Sequence, residues 1–200
     1  MRNKPLILAS ASPARLGMLR SAGLEIAAHP SDLDESPLKA RLEKTGSFGR
    51  DIALALAEAK ARAVATHFPD ALVIGADQIL DCDGRRYDKP ANREEARAQL
   101  IALRNRTHEL VSAAAVVQGD RLLWHHAEQA RLRMRDFSDA FLDLYLTKAD
   151  SGLTESVGAY QLENLGAQLF SSVEGDFFVI LGLPLISLLA FLREKGVIEA

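Results

Sequence analysis

The chain has 200 residues, enough for one substantial core or for one domain with two lobes. Apolar residues make up 48% and charged residues 26%, an ordinary balance for a soluble globular protein. With 24 Lys+Arg against 27 Asp+Glu, the net charge of −3 argues against a protein that coats nucleic acid, where a basic excess supplies most of the affinity; it leaves room for a local basic pocket around a small phosphate ligand. Cys82 is the only cysteine, which excludes an internal disulfide and a thiolate-rich zinc site and fits a reducing compartment. The opening apolar run, Leu6 to Ala9, is too short for a signal peptide, and no stretch approaches the roughly 18 apolar residues of a membrane span. The reading is a cytoplasmic protein with no membrane partner.

Leu6 to Ala9 is a short strand. Ser12 reads as a helix N-cap and Pro13 as the first helical position, with the helix running to about Ala22, where Gly23 stops it. A Ser-rich turn between a strand and a helix N-terminus offers free N–H groups that suit phosphate, although most such junctions bind nothing. Glu25 to Ala28 is a second strand. Ser31 to Thr45 is polar and reads as a loop carrying the acidic group Asp32, Asp34 and Glu35, whose plain account is a solvated loop. A long helix follows from about Gly49 to His67. Ile52, Ala53, Leu56, Ala57 and Val64 share one arc of it, with Asp51, Glu58 and Arg62 opposite. Lys60 falls inside the apolar arc. It either snorkels along the stripe to water or reaches an anionic site at the edge of the core.

Leu72 to Gln78 reads as a strand buried on both faces, with Asp77 where that strand leaves the sheet. In open α/β sheets ligands bind beyond the carboxyl ends of strands. A charge at a strand's buried end needs a cation or a metal, and Asp77 also has a plain structural reading as a turn former or helix cap. Asp81 to Gly84 is a hairpin turn, and Asp88-Lys89-Pro90 leads into a helix from about Arg93 to Leu103. Thr107 to Val117 and Arg121 to Met134 are two strands joined at Gln118-Gly-Asp120. Ser138 to Thr147 is helical with Ser138 as its cap. Gly158 to Gly166 is a loop, Leu169 to Val173 and Phe177 to Leu181 are strands around Gly175, and Leu183 to Lys195 is a final helix. Strands alternating with helices, together with hairpins, imply an α/β fold with a mixed sheet.

No phosphate-binding Gly-rich loop, dinucleotide fingerprint or nucleophile elbow is present, and the five histidines lack metal-ligand spacing. What remains is a dispersed set: a Ser/Arg turn, an acidic loop, an inward Lys, an Asp and a Lys-Pro loop. Hard carboxylates with Lys and Arg suit Mg²⁺ and a polyphosphate.

The blocks Leu-Ala-Ser-Ala-Ser-Pro-Ala-Arg (Leu8 to Arg15), Asp34-Glu35-Ser36-Pro37, Ala57-Glu-Ala-Lys60, Ile74-Gly-Ala-Asp-Gln78, Asp88-Lys89-Pro90, Arg106-Thr107-His108-Glu109, Gly158-Ala-Tyr-Gln161 and Gly182-Leu-Pro-Leu185 occur in this order along the chain. In them the sequence resembles the Maf-family nucleoside triphosphate pyrophosphatases over essentially its full length. The resemblance implies hydrolysis between the α- and β-phosphates with a divalent metal, Mg²⁺ or Mn²⁺, giving a nucleoside monophosphate and pyrophosphate. It implies a mixed, twisted sheet flanked by helices, one Maf/ITPase-like domain over residues 1–200 with two lobes and a cleft. By motif, Asp77 is the proton acceptor and, with Glu35, a metal ligand. Arg15, Lys60 and Lys89 neutralise phosphate charge, and Ser10 contributes polar contacts to the phosphates. A homodimer is compatible with the resemblance, though nothing in the sequence specifies an interface.

Base preference is also implied. The chain carries Asp77-Gln78 and Glu163, as members resembling the 7-methyl-GTP pyrophosphatases do, where pyrimidine-cleaving members carry Asp-Thr and a Gln. A carboxylate is acceptor-only and matches guanine's N1–H and N2–H₂ donors. Three departures bear on the substrate: Ala14 where the family has Arg or Trp, Asn164 where it has Gly, and Asp88 where Gly often precedes Lys-Pro. Gln78 and Glu163 also have a plainer account as polar loop residues. The rival functions are the same reaction on dTTP and UTP, and a nucleotide-binding cell-division regulator without useful catalysis.

Overall fold

The computed structural model describes residues 4–44, 49–149 and 152–199; Thr45, the last residue of the expected acidic loop, lies outside them. The strands form a seven-stranded mixed sheet in the order β2-β1-β3-β5-β6-β7, with β4 paired to β3. The chain divides into two compact units, the first from residues 1–78, 111–128 and 182–200, the second from 79–110 and 129–181. No helix among the described residues is long and apolar enough to cross a membrane.

In the first unit, β1 (Leu6–Leu8) runs parallel to both β2 (Ile26–Ala28) and β3 (Leu72–Cys82), with Leu6 opposite Ile26 and Leu72. Helix α1 (Pro13–Ser21) begins as the sequence predicts: the Ser12 side chain accepts from Arg15 N, and Pro13 supplies a fixed φ where no N–H is needed. The segment read as a loop over Ser31 to Thr45 instead holds α2 (Ser36–Lys44). Its start is organised by Asp34, whose Oδ1 accepts from Ser36 N at 3.0 Å, and by Lys39 N donating to Glu35 O at 2.9 Å. Local side-chain bonding of this kind starts a helix even where the hydrophobic pattern is faint.

Helix α3 (Gly49–Ala65) buries Ile52, Ala53, Leu56, Ala57, Ala61, Val64 and Ala65, the arc expected from helical spacing. Ala61, Val64 and Ala65 meet Ile7, Ala9, Val73 and Val117 in one core cluster. Helix α8 (Leu185–Glu194) closes this unit, with Phe191 stacked on Trp124 at 5.4 Å.

Strand β3 does not end at Asp77, contrary to the sequence reading. It continues to Cys82 because Ile79 and Leu80 remain apolar and buried, and because β4 (Arg85–Tyr87) folds back antiparallel on it. The turn residues Asp83 and Gly84 have φ of 54° and 80°, the pair of left-handed residues that a tight Asp-Gly hairpin requires. Strands β5 (Thr107–Gln118) and β6 (Arg121–Met134) form the expected hairpin, and both contribute residues to each unit.

In the second unit, α4 (Arg93–Leu103), α5 (Asp139–Lys148), α6 (Gly152–Glu155) and β7 (Phe170–Glu174) surround a core that includes Leu80, Leu100, Leu132, Phe137, Tyr145 and Tyr160. The loop expected over Gly158 to Gly166 contains short 3₁₀ turns at Val157–Ala159 and from Leu165. Phe177 to Leu181, read as a strand, is instead the short helix α7 (Phe177–Ile180), capped by Asp176, whose Oδ1 accepts from Val179 N at 3.1 Å. A five-residue apolar run carries no period long enough to tell strand from helix, and the cap decides.

Candidate active site

The strand and helix that carry the site approach each other unusually closely. A Cβ at Gly75 would lie 2.0 Å from the Ala57 carbonyl oxygen and 2.8 Å from Ala61 N. Only glycine on β3, facing alanines on α3, permits this separation. Lys60 lies between those two alanines in sequence, so the contact brings its side chain to the strand.

Lys60 Nζ sits 2.6 Å from Asp77 Oδ1 and 2.8 Å from Glu35 Oε1. Of its two sequence readings, the one that reaches an anionic site holds. Asp77 is 7% exposed, a buried carboxylate that needs a cation, and Lys60 supplies it. Glu35 stands immediately before α2, and one turn on, Lys39 Nζ meets its Oε2 at 3.2 Å. The helix missed in the sequence thus sets where Glu35 points and gives it a second cation.

The two carboxylates sharing Lys60 are pushed apart in acidity. Burial drives Asp77 upward, with Lys60 and Arg15 offsetting part of the effect and Glu35 adding to it. Burial acts on Glu35 in the same direction, but Lys60 and Lys39 outweigh it, and its net shift is downward. Glu35 is therefore the more firmly ionised partner and Asp77 the stronger base. Environments that separate two neighbouring carboxylates in this way mark acid/base assignments.

Arg15 lies beneath this group. Its Nε donates to Gly182 O at 2.8 Å, and its Nη1 donates to Ala76 O at 2.9 Å and to Ser10 Oγ at 3.3 Å. Burial lowers its pKa while Asp77 and Glu35 raise it; a guanidinium stays charged regardless. Ser10 Oγ also accepts from Ser12 N at 3.2 Å. Arg15, expected with Ser10 at the phosphates, thus also holds the backbone just before Asp77, and Ser10 in turn holds Arg15. Ala14 is half-buried on α1.

Gln78 Nε2 donates to Ser112 Oγ at 3.0 Å. Ser112 is fully buried in β5. It was not singled out from the sequence, although a lone hydroxyl within the run Leu110-Val-Ser-Ala-Ala-Ala-Val-Val117 is the signal that could have found it. Ser10, Arg15, Glu35, Lys60, Asp77 and Gln78 all belong to the first unit. Lys89 and Glu163 belong to the second, where both are exposed, Lys89 beyond β4 and Glu163 in the turn that follows Gln161.

Residues 5–195 match the family described as Maf-like protein. The chain belongs to the Maf family. It is 53% identical over 190 residues to a nucleoside triphosphate pyrophosphatase of Paramagnetospirillum magneticum, covering 95% of this chain and 98% of that one. It is 49% identical over 198 residues to a 7-methyl-GTP pyrophosphatase of Rhizobium meliloti, covering 98% and 100%. Among solved structures, a nucleoside-triphosphatase described as a dITP/XTP pyrophosphatase, from Mycobacterium abscessus, matches 96% of this chain and 95% of its own at 16% identity with a TM-score of 0.40. In this Maf chain the motif residues Ser10, Arg15, Glu35, Lys60 and Asp77 converge through the contacts described above.

Proposed function

We propose that this Maf-family chain is a nucleoside triphosphate pyrophosphatase that hydrolyses the bond between the α- and β-phosphates, with a preference for a modified purine nucleotide such as 7-methyl-GTP. The observation that carries the reading is the Glu35–Lys60–Asp77 chain, in which burial sets the acidity of Asp77 apart from that of the neighbour with which it shares an ammonium. In the reaction, Asp77 accepts a proton from the attacking water as its oxygen bonds to phosphorus, the anhydride bond breaks, and pyrophosphate leaves with the bridging oxygen. Lys60 holds Asp77 in place and, with Lys89 and Arg15, opposes charge that builds on the phosphate oxygens.

The residues also fit a divalent cation. Among the described residues no group of three or more His, Cys, Asp or Glu side chains is placed to hold a metal. Mg²⁺, however, is commonly held by one or two carboxylates together with substrate phosphates, and Asp77 and Glu35 both bring hard oxygen donors to within 2.8 Å of Lys60 Nζ. They would hold Mg²⁺ or Mn²⁺ arriving with the triphosphate, and the bound cation would add charge compensation at the phosphate oxygens.

For the base, Glu163 as an acceptor-only carboxylate and Gln78, steadied by Ser112, are the selecting groups. Pyrophosphate release from 7-methyl-GTP, GTP, dTTP and UTP, assayed side by side, tests the substrate; equal or faster release from the pyrimidines removes the role given to Glu163. Asp77→Asn tests the chemistry. Turnover should fall by about two to four orders of magnitude with the fold intact, and unchanged turnover would overturn the base role given to Asp77.

A further inference from the structure

The segment that leads to Glu163 begins in a strained conformation. Gly158 and Ala159 have φ of 77° and 60°, so two successive residues are left-handed, and the second carries a side chain. A non-glycine residue there costs free energy and persists only when its surroundings over-determine it. Two buried tyrosines do this. Tyr145 Oη donates to Ala159 O at 3.0 Å, and Tyr160 Oη lies 2.7 Å from His108 Nε2. The rings of Tyr160 and His108 both pack on Phe170, with centroids at 4.8 and 5.9 Å.

The rest of the turn has no slack. A Cβ at Gly158 would lie 2.7 Å from both Leu80 Cδ1 and the Tyr160 ring, and one at Gly166 would lie 2.4 Å from Gln161 O. Asn164 Nδ2 donates to Gln161 Oε1 at 3.1 Å, so the residue replacing the family's Gly ties the turn down from its far side.

Phenylalanines in this apolar cluster would bury as much surface without polar atoms. His108 Nδ1 is buried with no hydrogen-bond partner among the described residues, a cost that packing alone does not explain. Buried polar networks are justified where they fix a unique geometry.

We propose that Tyr145, Tyr160 and His108 are positioning residues for base selection: their hydrogen bonds lock the Gly158–Ala159 pair and thereby fix where Glu163 meets the nucleobase. This rests on the base-contact role given to Glu163 above.

The test uses Tyr145→Phe and Tyr160→Phe, which keep ring volume, beside Glu163→Gln. For each, kcat/KM is measured on 7-methyl-GTP and on UTP, with thermal midpoints to identify folded variants. In folded variants the ratio of the two kcat/KM values should shift by about three- to ten-fold, the range of one lost hydrogen bond. In the two Phe variants the kcat/KM on the less favoured nucleotide should change by less than about two-fold. An unchanged ratio in the Phe variants, where Glu163→Gln changes it, overturns the positioning role and leaves the base-contact reading standing. An unchanged ratio in all three overturns both. If the Phe variants do not fold, hydrogen exchange on the unmodified protein decides. Amides from Gly158 to Gln161 should exchange as slowly as those of β5, and fast exchange there overturns the lock.

Discussion

Gly75 lies against Ala57 so closely that a single methyl group would reach within 2.0 Å of the Ala57 carbonyl oxygen. This contact sets the distance between β3 and α3, and with it the 2.6 Å separation of Lys60 from Asp77. Gly75→Ala forces backbone atoms apart, because the clashing atoms at Ala57 and Ala61 are main-chain and cannot rotate away. The expected outcome is a loss of about 1–3 kcal/mol in stability, as for overpacked cores. Turnover should drop up to about a hundred-fold, as for a catalytic group displaced by about 1 Å. Urea unfolding and steady-state pyrophosphate release measure the two effects, and a variant that retains both would separate this contact from the site.

Lys60 compensates two carboxylates at once. Lys60→Met leaves them facing each other without it, and breaking a buried pair in this way costs about 3–5 kcal/mol. The effect on acidity has a definite sign. Asp77 is raised mainly by burial, and Lys60 is the largest influence pulling it down. The acidic limb of kcat/KM against pH, which reports ionisation of the base in the free enzyme, should therefore sit above the ordinary Asp value of about 3.9. Lys60→Met should move that limb to higher pH as well as lowering the plateau. A limb that stays in place would mean that Asp77 is not the titrating base.

Much of this was legible in the sequence. The arc on α3, the Ser12-Pro13 helix start, the Asp-Gly hairpin and the long β5–β6 pair follow from local chemistry and period, and the structure has them. The failures share a cause. Asp77 looked terminal because a charge interrupts an apolar run, yet backbone pairing with β4 carries the strand on through the charge. Helix α2 has few apolar positions, so its period is faint, and its start depends on bonds made by Asp34 and Glu35. The grouping of Glu35, Lys60 and Asp77 was reachable as a set of candidate residues but not as a geometry, because the approach that joins them is set by Gly75 against Ala57. Ser112 was missed because its significance depends on which strand lies beside it.

Arg15 ties the first helix to the turn before the last one. Its Nε and Nη1 donate to the carbonyls of Gly182 and Ala76, a planar fork that lysine cannot reproduce. Arg15→Lys keeps the charge near Asp77 but strands at least one buried acceptor, and should cost about 1–3 kcal/mol. Gly182→Ala attacks the same junction from the other side. Gly182 has φ of 105°, and its added Cβ would lie 3.2 Å from Arg15 Nε. Both variants should lower the thermal midpoint and turnover together. A Lys variant with unchanged stability and reduced turnover would instead assign Arg15 mainly to the phosphates.

His108 is 1% exposed, and burial lowers its pKa to about 4. It stays neutral in the folded protein at pH values where the unfolded chain, titrating near 6.5, takes up a proton. Stability from this residue is therefore full above about pH 6.5 and is lost as pH falls toward about 4, by roughly 3 kcal/mol in all. Glu35, held low, adds losses only further into acid. Asp77, held high, acts in the opposite sense, since its contribution falls as pH rises. The expected outcome is a urea-unfolding free energy that declines between about pH 6.5 and pH 4.5. His108→Gln should be less stable at neutral pH, through loss of the Tyr160 contact, but should show a flatter decline across that window. A slope unchanged by the substitution would assign the acid sensitivity to groups other than His108.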